Sequence, residues 1–316
     1  MSLPSISVVV EASNWNPAHQ IQIFDTLRAL HRQSFPISET EILVVLDAPH
    51  HSAADSILEK FPRVVIRKAP AEMTYYELKN LGGENAQGEI IAFTDADCVP
   101  STTWIEQIVH TFRTSGENVA AIQGSTRFSP RALARAWESS WWVRSFENEG
   151  IVDRLYTSNN MAVRRKIFLR FRFLDGTNMR AGLERPMTRE LQAAGFHIWL
   201  NPNMIVHHNY TPSIREIVQM SLVRGYNFLR LRRNYPGKHD SILKMLGWLS
   251  PLFCAPVLMF KDMARLLINS KKMKLWPAEF YKIPIFLLLQ IPYDVIAIGG
   301  MYWAIWNEDD VPRRPL

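Results

Sequence analysis

Two aspartates, Asp95 and Asp97, carry the clearest chemical signal in the chain. They lie in the segment GEIIAFTDADCVP at residues 88–100, whose apolar run Ile90–Phe93 shows no alternation and is typical of a strand buried on both faces. Residues i and i+2 of an extended chain point the same way, so we expect both carboxylates to face one spot. Such oxygens suit a hard divalent cation that bridges to phosphate. By itself the tripeptide Asp95-Ala96-Asp97 is more typical of a solvated turn, so the choice between a turn and a cation site depends on the surrounding elements.

A repeating strand–helix pattern precedes these aspartates. Buried strands are predicted at Ile6–Glu11, Glu41–Asp47 and Arg63–Arg67, and helices at Ala18–Arg32, Ser52–Lys60 and Tyr75–Ala86. This order predicts an α/β fold with a mostly parallel central sheet and right-handed crossovers. Strands end in acids at Glu11, Asp47 and Asp95, and the carboxyl ends of parallel strands form the edge of a sheet that binds ligands.

The chain after the aspartates alternates between further helices and strands. Strands are predicted at Ala120–Gly124, His197–Leu200 and Met204–His208, and helices at Thr103–Thr114, Ala132–Phe146 and Met187–Ala194. The helix Ala132–Phe146 carries Trp137, Trp141 and Trp142, which we expect to pack in the core, with a substrate groove as the alternative. Glu184 stands just before the last of these helices.

Composition limits the protein class. The chain has 316 residues, enough for one large domain or for one domain with an appendage. The formal charge of +6 fits a membrane surface, a nucleic acid or a polyanionic substrate. Arginines recur along Ile214–Arg233 without a nucleic-acid recognition motif, so we expect no nucleic-acid partner. Cys98 and Cys254 are too few for a disulfide framework or a cysteine metal cluster, and no secretory signal pattern is visible.

Apolar segments near the C-terminus predict membrane attachment. We place a domain boundary near residue 240, which separates a catalytic domain at 1–240 from a membrane-associated helical segment at 241–316. Ile242–Phe260 and Ile283–Trp306 come close to the length of a membrane span. The alternative is a pair of helices lying in the interface or buried against protein. The basic residues predicted to crowd the loop between them are Lys261, Arg265, Lys271, Lys272, Lys274 and Lys282.

Such a basic loop favours the cytoplasmic side of the membrane. We therefore expect attachment to the plasma (inner) membrane with a cytoplasmic catalytic domain. In that topology the first apolar segment dips into the bilayer and returns.

The ordered set of motifs resembles the family 2 glycosyltransferases, which have the GT-A fold. The resemblance covers about residues 5–232 and is far more specific than any single motif. The stretches that carry it are SVVVEASN, EILVVLDAP, LKNLGGENAQGEIIAFTDADC, SNNMAVRRKIF, FLDG and VHH. The apolar C-terminal pair resembles membrane-attached members of the family.

The resemblance implies a site for a nucleotide-diphospho-sugar. Asp47 would contact the nucleobase, and Asp95 the ribose or the metal. Asp97 would bind Mn²⁺ or Mg²⁺, with His207 or His208 completing the metal site. The residues expected beside the nucleotide also include Glu11, Lys79 and Asn80. In this chain Glu11-Ala12-Ser13 replaces the family's Pro-Thr-Tyr, so an aromatic partner for the base is missing there and the nucleotide is left open.

The resemblance also implies a catalytic base on the acceptor side. The family's Gly-Glu-Asp motif is represented by Gly182-Leu183-Glu184, which makes Glu184 the expected base and Asp175 of the FLDG stretch the second candidate. The Gln-x-x-Arg-Trp motif of processive polymer synthases is not found, so we expect addition of a single sugar.

These features predict an inverting glycosyltransferase that uses a lipid-linked or cell-surface glycan as acceptor. Two alternatives stay open. One is transfer to a polyprenyl phosphate, which needs no strong base, and the other is a non-catalytic GT-A-like membrane subunit.

Overall fold

The computed structural model describes residues 6–13, 15, 23–128, 148–175, 179, 181–208, 213–236, 241–272 and 282–307. The predicted helix with Trp137, Trp141 and Trp142 lies outside these residues, as does Lys274. The described residues fall into two compact units. The first comprises residues 6–128, 148–175 and 183–208. The second comprises residues 179, 181–182 and the described part of 213–307.

The first unit is built on one mixed sheet. In its described part the strands are β1 (Ile6–Glu11), β2 (Thr40–Leu46), β3 (Val65–Lys68), β4 (Ile90–Asp95), β5 (Val99–Pro100), β6 (Val119–Phe128), β7 (Gly150–Val152), β8 (Asn160–Arg164) and β9 (His197–His208). They follow the order β3-β2-β1-β4-β8-β6-β9-β5, and β7 also pairs with β9. The pairs β3–β2, β2–β1, β1–β4 and β6–β9 are parallel. The prediction of a mostly parallel central sheet in an α/β fold is confirmed.

The described helices fall into two sets, one in the first unit with the sheet and one in the second unit. Those of the first unit are α1 (Ile23–His31), α2 (Ala54–Lys60), α3 (Tyr75–Asn85), α4 (Trp104–Thr114), α5 (Arg165–Phe168) and α6 (Glu184–Ala193). Those of the second unit are α7 (Ile214–Asn234), α8 (Ser241–Met245), α9 (Ser250–Lys272) and α10 (Lys282–Trp306).

Helix α3 lies unusually close to the sheet and brings polar side chains to its ligand edge. It begins with a capping box, in which Thr74 and Glu77 satisfy each other's backbone N–H groups. A Cβ on Gly82 would lie only 2.3 Å from the Val9 side chain of β1, so only a glycine permits this approach. The first turn of α3 therefore reaches the ends of β1 and β4.

Strand β9 differs from the prediction. Two short strands were expected at His197–Leu200 and Met204–His208, because the sequence Asn201-Pro202-Asn203 between them is typical of a turn. The structure has one strand, His197–His208, which pairs with β6 across a register shift. Asn201 is buried and its amide donates to Thr111 of α4 at 2.8 Å. This bond satisfies the polar side chain inside the sheet, so the strand continues.

The second unit corrects the prediction for the C-terminal segments. Among the described residues, one stretch is long and apolar enough to cross a membrane, Leu287–Trp306 in α10. The first predicted segment, Ile242–Phe260, is interrupted: α8 ends at Met245, a 3₁₀ turn follows, and α9 begins at Ser250. The basic residues predicted to lie in a loop lie instead on α9 (Lys261, Arg265, Lys271 and Lys272) or at the start of α10 (Lys282).

Close packing and a buried ion cluster join the helices of this unit. A Cβ on Gly225 of α7 would lie 1.7 Å from the Ala297 carbonyl oxygen of α10. Arg224 of α7 donates to Asp294 of α10 at 2.7 Å and also to Asp262 of α9. Helix α7 thus belongs to the compact unit of the C-terminal helices, whereas the predicted boundary near residue 240 assigned it to the catalytic domain.

Candidate active site

Glu11 and Asp95 lie side by side at the ends of β1 and β4, where the strand register pairs them directly. Both are buried. Lys79 of α3 donates from Nζ to Asp95 Oδ1 at 2.6 Å, and its own side chain is fully buried. The ammonium also faces the Tyr75 ring at 4.6 Å from the centroid. A buried charge is costly unless paired, so Lys79 compensates for one carboxylate of this edge.

Glu11 lies beside this pair, and the charge of Lys79 offsets only part of the effect of burial and of Asp95 on it. Its Oε1 accepts a hydrogen bond from the Ser13 N–H. Its Oε2 is buried without a hydrogen-bond partner among the described residues. Burial, and then the negative charge of Asp95, raise the pKa of Glu11 to about 8. An unsatisfied buried oxygen beside a second acid is the kind of group that a cation or a polar ligand would satisfy.

Asp97 contacts different groups from Asp95. Strand β4 ends at Asp95, whose carbonyl accepts the Cys98 N–H at 3.1 Å, so Asp97 lies in a turn rather than in an extended chain. Its Oδ2 is 3.2 Å from His208 Nε2. The expectation that both aspartates face one spot, as in a continuing strand, does not account for these separate contacts.

The two histidines of β9 point to different surroundings because neighbouring residues of a strand alternate between faces. His208 is close to Asp97, whereas the neighbouring His207 is exposed. Partial burial, and then the positive charge of Arg127, lower the pKa of His207. Of the two histidines proposed as ligands, the structure brings His208 to Asp97.

The side chains around Asp97 fit a divalent cation. The ligand atoms of Asp97, Cys98 and His208 all lie within 4.8 Å of one another. Without a bound cation, burial and the charge of Asp97 raise the pKa of the Cys98 thiol well above its usual value, so the thiol is protonated. The carboxylate of Asp97 and the imidazole of His208 are donors that suit a divalent cation.

Glu184 lies at the start of α6 and is buried. The Tyr76 hydroxyl donates to Glu184 Oε2 at 2.9 Å and accepts from the Leu183 N–H at 3.3 Å. Burial is the main cause that raises the pKa of Glu184. A carboxylate with a raised pKa holds a proton more readily near neutral pH, which suits a general base.

Asp175, the second candidate base, is not buried like Glu184 and contacts Asn80 instead. Asn80 donates to Asp175 Oδ1 and to the Phe173 carbonyl oxygen, both at 2.7 Å, and accepts from the Phe173 N–H. Asp175 is 44% exposed in its side chain and forms an ion pair with Arg172 at 2.8 Å. Asn80 therefore holds the segment Phe173–Asp175 in place, and Asp175 has the surroundings of a surface acid.

Asp47 follows β2 and lies beside aromatic side chains. His50 Nδ1 is 2.5 Å from Asp47 Oδ1. The His50 ring lies 4.9 Å from the Trp15 ring, with the planes inclined by 30°. The sequence suggested that an aromatic partner was missing at Ser13, but the structure provides Trp15 and His50 close to Asp47.

Sequence reasoning missed Tyr75, Tyr76 and Ser158. Tyr75 donates to Asp95 at 3.1 Å and lies 3.0 Å from Ser158 Oγ. The available signal was the position of both tyrosines in the first turn of α3, one turn before Lys79.

Comparison with known proteins agrees with this fold. Residues 22–172 match the family model described as Glycosyl transferase family 2. Glycosyltransferase AglE of Haloferax volcanii is 32% identical over 132 residues, which is 40% of this chain and 41% of that relative's length. The chain therefore matches well under half of this curated relative.

Solved structures share the fold at low identity. The mannosyltransferase PcManGT from Pyrobaculum calidifontis, in complex with GDP-Man and Mn²⁺, superposes with a TM-score of 0.59 at 15% identity, over 98% of this chain and 89% of that one. GalNAc-T7 with UDP, GalNAc and Mn²⁺ gives 0.57 at 11% identity, over 79% and 51%. The family match and the relative show that residues 22–172 are similar to glycosyl transferase family 2, and the solved structures show that the chain has the GT-A fold.

Proposed function

We propose that the chain is an inverting glycosyltransferase that transfers one sugar from a nucleotide-diphospho-sugar to an acceptor hydroxyl. The observation that carries this proposal is the excess of buried acids at the ends of β1 and β4. Among the buried residues described in the first unit, Glu11, Asp95, Asp97 and Glu184 are acidic, whereas Lys79 is the buried base. Such an excess favours a bound cation, and a cation in turn favours a diphosphate.

On the donor side, Asp97 and His208 would hold the divalent cation, with Asp95 as the further acid of the motif. The nitrogen donor of His208 supports Mn²⁺ over Mg²⁺, which prefers oxygen ligands. When bound, the cation supplies Lewis-acid stabilisation of the charge that gathers on the leaving nucleoside diphosphate. Asp47 would bind the nucleobase, with the rings of Trp15 and His50 close by.

On the acceptor side, Glu184 would take the proton of the attacking hydroxyl. Its burial and the hydrogen bond from Tyr76 support this role over that of Asp175, which is exposed and paired with Arg172. Attack on the face of the sugar opposite the leaving diphosphate would invert the anomeric centre.

The acceptor side would also involve a membrane. Apolar side chains are exposed on α9 and α10, including Phe253, Val257, Phe260, Leu288 and Val295. Together with the apolar stretch Leu287–Trp306, they support attachment to the plasma (inner) membrane and a lipid-linked or cell-surface glycan acceptor. The catalytic domain, residues 1–240, would lie on the cytoplasmic side, and residues 241–316 would form the membrane-associated segment.

Calorimetric titration of the full chain with GDP and with UDP, each with and without Mn²⁺, tests the donor site. We expect Asp97→Asn and His208→Ala to lower the Mn²⁺-dependent affinity by at least about tenfold, the usual cost of losing a ligand or its support. His207→Ala is the matched control, because it removes a neighbouring histidine from the exposed face of β9. Equal affinity in wild type and Asp97→Asn would contradict the assignment.

Measurements of turnover distinguish the proposed function from its two alternatives, a polyprenyl phosphate acceptor and a non-catalytic subunit. Glu184→Gln keeps the shape and removes the basicity, and should slow transfer to a hydroxyl by about 10²–10⁴-fold. Unchanged turnover would favour a polyprenyl phosphate acceptor, whose oxygen is already ionised. A wild type that releases no nucleoside diphosphate from any nucleotide sugar would favour the non-catalytic subunit.

A further inference from the structure

Helix α7 lies against the middle of α10, the described helix that is long and apolar enough to cross a membrane. Ser221 of α7 donates to the Tyr293 carbonyl oxygen, and Gly225 packs directly against the Ala297 backbone. These contacts bring the centre of α7 beside the centre of the apolar stretch Leu287–Trp306. A membrane that takes up α10 would therefore have to take up α7 as well.

Helix α7 carries charges that the core of a bilayer excludes. Arg230, Arg232 and Arg233 follow Gly225 by five to eight residues, which is no more than about 12 Å along a helix that rises about 1.5 Å per residue. The hydrocarbon core of a bilayer extends about 15 Å on either side of its centre. If α10 crossed with Ala297 at the centre, these arginines would enter the hydrocarbon, where charged side chains are costly. A crossing by α10 is therefore unfavourable.

Helix α9 has an exposed apolar side that faces away from α7. Its Asp262 forms an ion pair with Arg224 of α7, so this side of α9 is turned toward α7. The exposed residues Phe253, Val257 and Phe260 recur at helical spacing on the opposite side. Their exposure forms a continuous apolar stripe along α9.

Helix α10 is divided in the same way. Its Ala297 packs against α7, whereas Leu288 and Val295 lie on the opposite side of the helix and are 67% and 53% exposed. Both helices therefore have one side that is packed in the second unit and one apolar side that is exposed. Contiguous exposed apolar surface of this kind marks an interaction site for a membrane or for another protein.

The charge of these helices favours an anionic lipid surface as the partner. Helices α7–α10 together carry eleven lysines and arginines and three acids. Two of the acids, Asp262 and Asp294, are already paired with Arg224. Lys261 stands one turn after Val257, at the border of the apolar stripe of α9. A second copy of the chain would bring the same positive charge, whereas anionic headgroups would neutralise it.

We propose that the second unit binds an anionic lipid surface from one side, with α9 and α10 lying in the plane of the interface and α7 on the water side. This inference deepens the membrane attachment in the proposed function and rests on that attachment, but it does not depend on the sugar-transfer chemistry. The apolar stripes of α9 and α10 enter the boundary between headgroups and acyl chains, which is about 5–10 Å deep for helices of this kind. Helix α10 then contacts lipid along its length and does not cross the bilayer.

The test measures the depth of α10 in vesicles that contain phosphatidylglycerol. Leu288→Cys, Val295→Cys and Trp306→Cys each place one exposed thiol on α10 of the full chain, whose Cys98 and Cys254 are buried. A spin label on each thiol reports its depth through collisions with oxygen and with a water-soluble nickel complex, and wild type treated with the label gives the background. We expect similar depths for the three labels. A spanning helix would place the label at position 295 about 10 Å or more deeper than the labels at both ends, because a helix rises about 1.5 Å per residue.

Vesicle binding tests the apolar stripe and the charge separately. Phe260→Asp should weaken binding to these vesicles by about tenfold or more, because it puts a charge into the stripe. Ile151→Asp is the matched control, since Ile151 is an exposed apolar residue of β7 in the first unit, and its binding should equal that of wild type. Vesicles of phosphatidylcholine alone should bind the wild type about tenfold more weakly or less.

The outcomes separate this inference from the proposed sugar transfer. A label at position 295 that lies deeper than both end labels would overturn the in-plane arrangement. A chain that forms a dimer in sedimentation and binds no vesicles would overturn it as well, because a second copy would then cover the apolar stripes. Neither result would change the assignment of the sugar-transfer site. Similar depths in a chain that releases no nucleoside diphosphate from any nucleotide sugar would support this inference and refute the sugar transfer.

Discussion

Replacing Glu11 by glutamine tests whether the end of β1 carries a buried, protonated acid. Glutamine keeps the oxygen that accepts from the Ser13 N–H and removes the titratable group. Its amide would place a donor near Asp95, the residue paired with Glu11 in the strand register. The variant should therefore fold.

The pKa of Glu11 sets the sign and size of the effect. Its folded-state pKa is about 8, against 4.5 for an unperturbed glutamate. Between these values the unfolded chain releases the proton while the folded protein retains it, so Glu11 lowers the free energy of unfolding as pH rises. Each pH unit within this window is worth about 1.4 kcal/mol. The difference in free energy of unfolding between Glu11→Gln and wild type should therefore be about 2–3 kcal/mol larger, in favour of the variant, at about pH 7.5 than at about pH 5.5.

The assay is urea unfolding of the full chain in detergent at both pH values, with and without Mn²⁺. Glu59→Gln, at an exposed position of α2, controls for the loss of a glutamate from the surface. A cation bound near Asp95, the residue paired with Glu11, lowers the pKa of Glu11, so Mn²⁺ should shrink the pH-dependent difference. A Glu11→Gln gain that is the same at both pH values would refute the buried, protonated carboxyl.

Two further predictions concern packing and the second unit. Gly82→Ala should cost about 1–3 kcal/mol of unfolding free energy, because its Cβ would overlap the Val9 side chain, and urea unfolding measures this loss. An unchanged midpoint would show that α3 can move away from the sheet. Arg224→Met should cost about 3–5 kcal/mol because it leaves Asp262 and Asp294 buried without their cation, and Asp262→Asn added to it should restore part of the loss in a thermal melt. A single Arg224→Met variant with wild-type stability would contradict the buried ion cluster.

The strands of the sheet could be predicted where the hydrophobic pattern of neighbouring residues was sufficient. The unbroken apolar runs of β1 and β4 show that both faces are buried, and the acids that follow mark the ligand edge. Thr74 and Glu77 are visible in the sequence as a capping box, so the start of α3 could also be located. Asp95 and Lys79 could be named because their positions follow from these elements.

The rest depended on contacts between distant parts of the chain. The break expected at Asn201 is absent because Thr111, 90 residues earlier, accepts its amide proton. Arg224 meets Asp294 across 70 residues and Asp262 across 38, so no local pattern shows that α7 belongs with the C-terminal helices. Hydropathy summed over Ile242–Phe260 could not show that a new helix begins at Ser250.

We expect the two aspartates of the motif to have different roles in the site, because β4 ends between them. Asp95 still belongs to the strand and lies against α3, where Lys79 and Tyr75 stabilise its charge. Asp97 lies in the turn beyond it, beside His208.

A cation at Asp97 would therefore add positive charge in the turn beyond β4 rather than at the pair of Asp95 and Lys79. We expect Asp97 to recruit the cation, and Asp95 to hold Lys79 and Tyr75 in place.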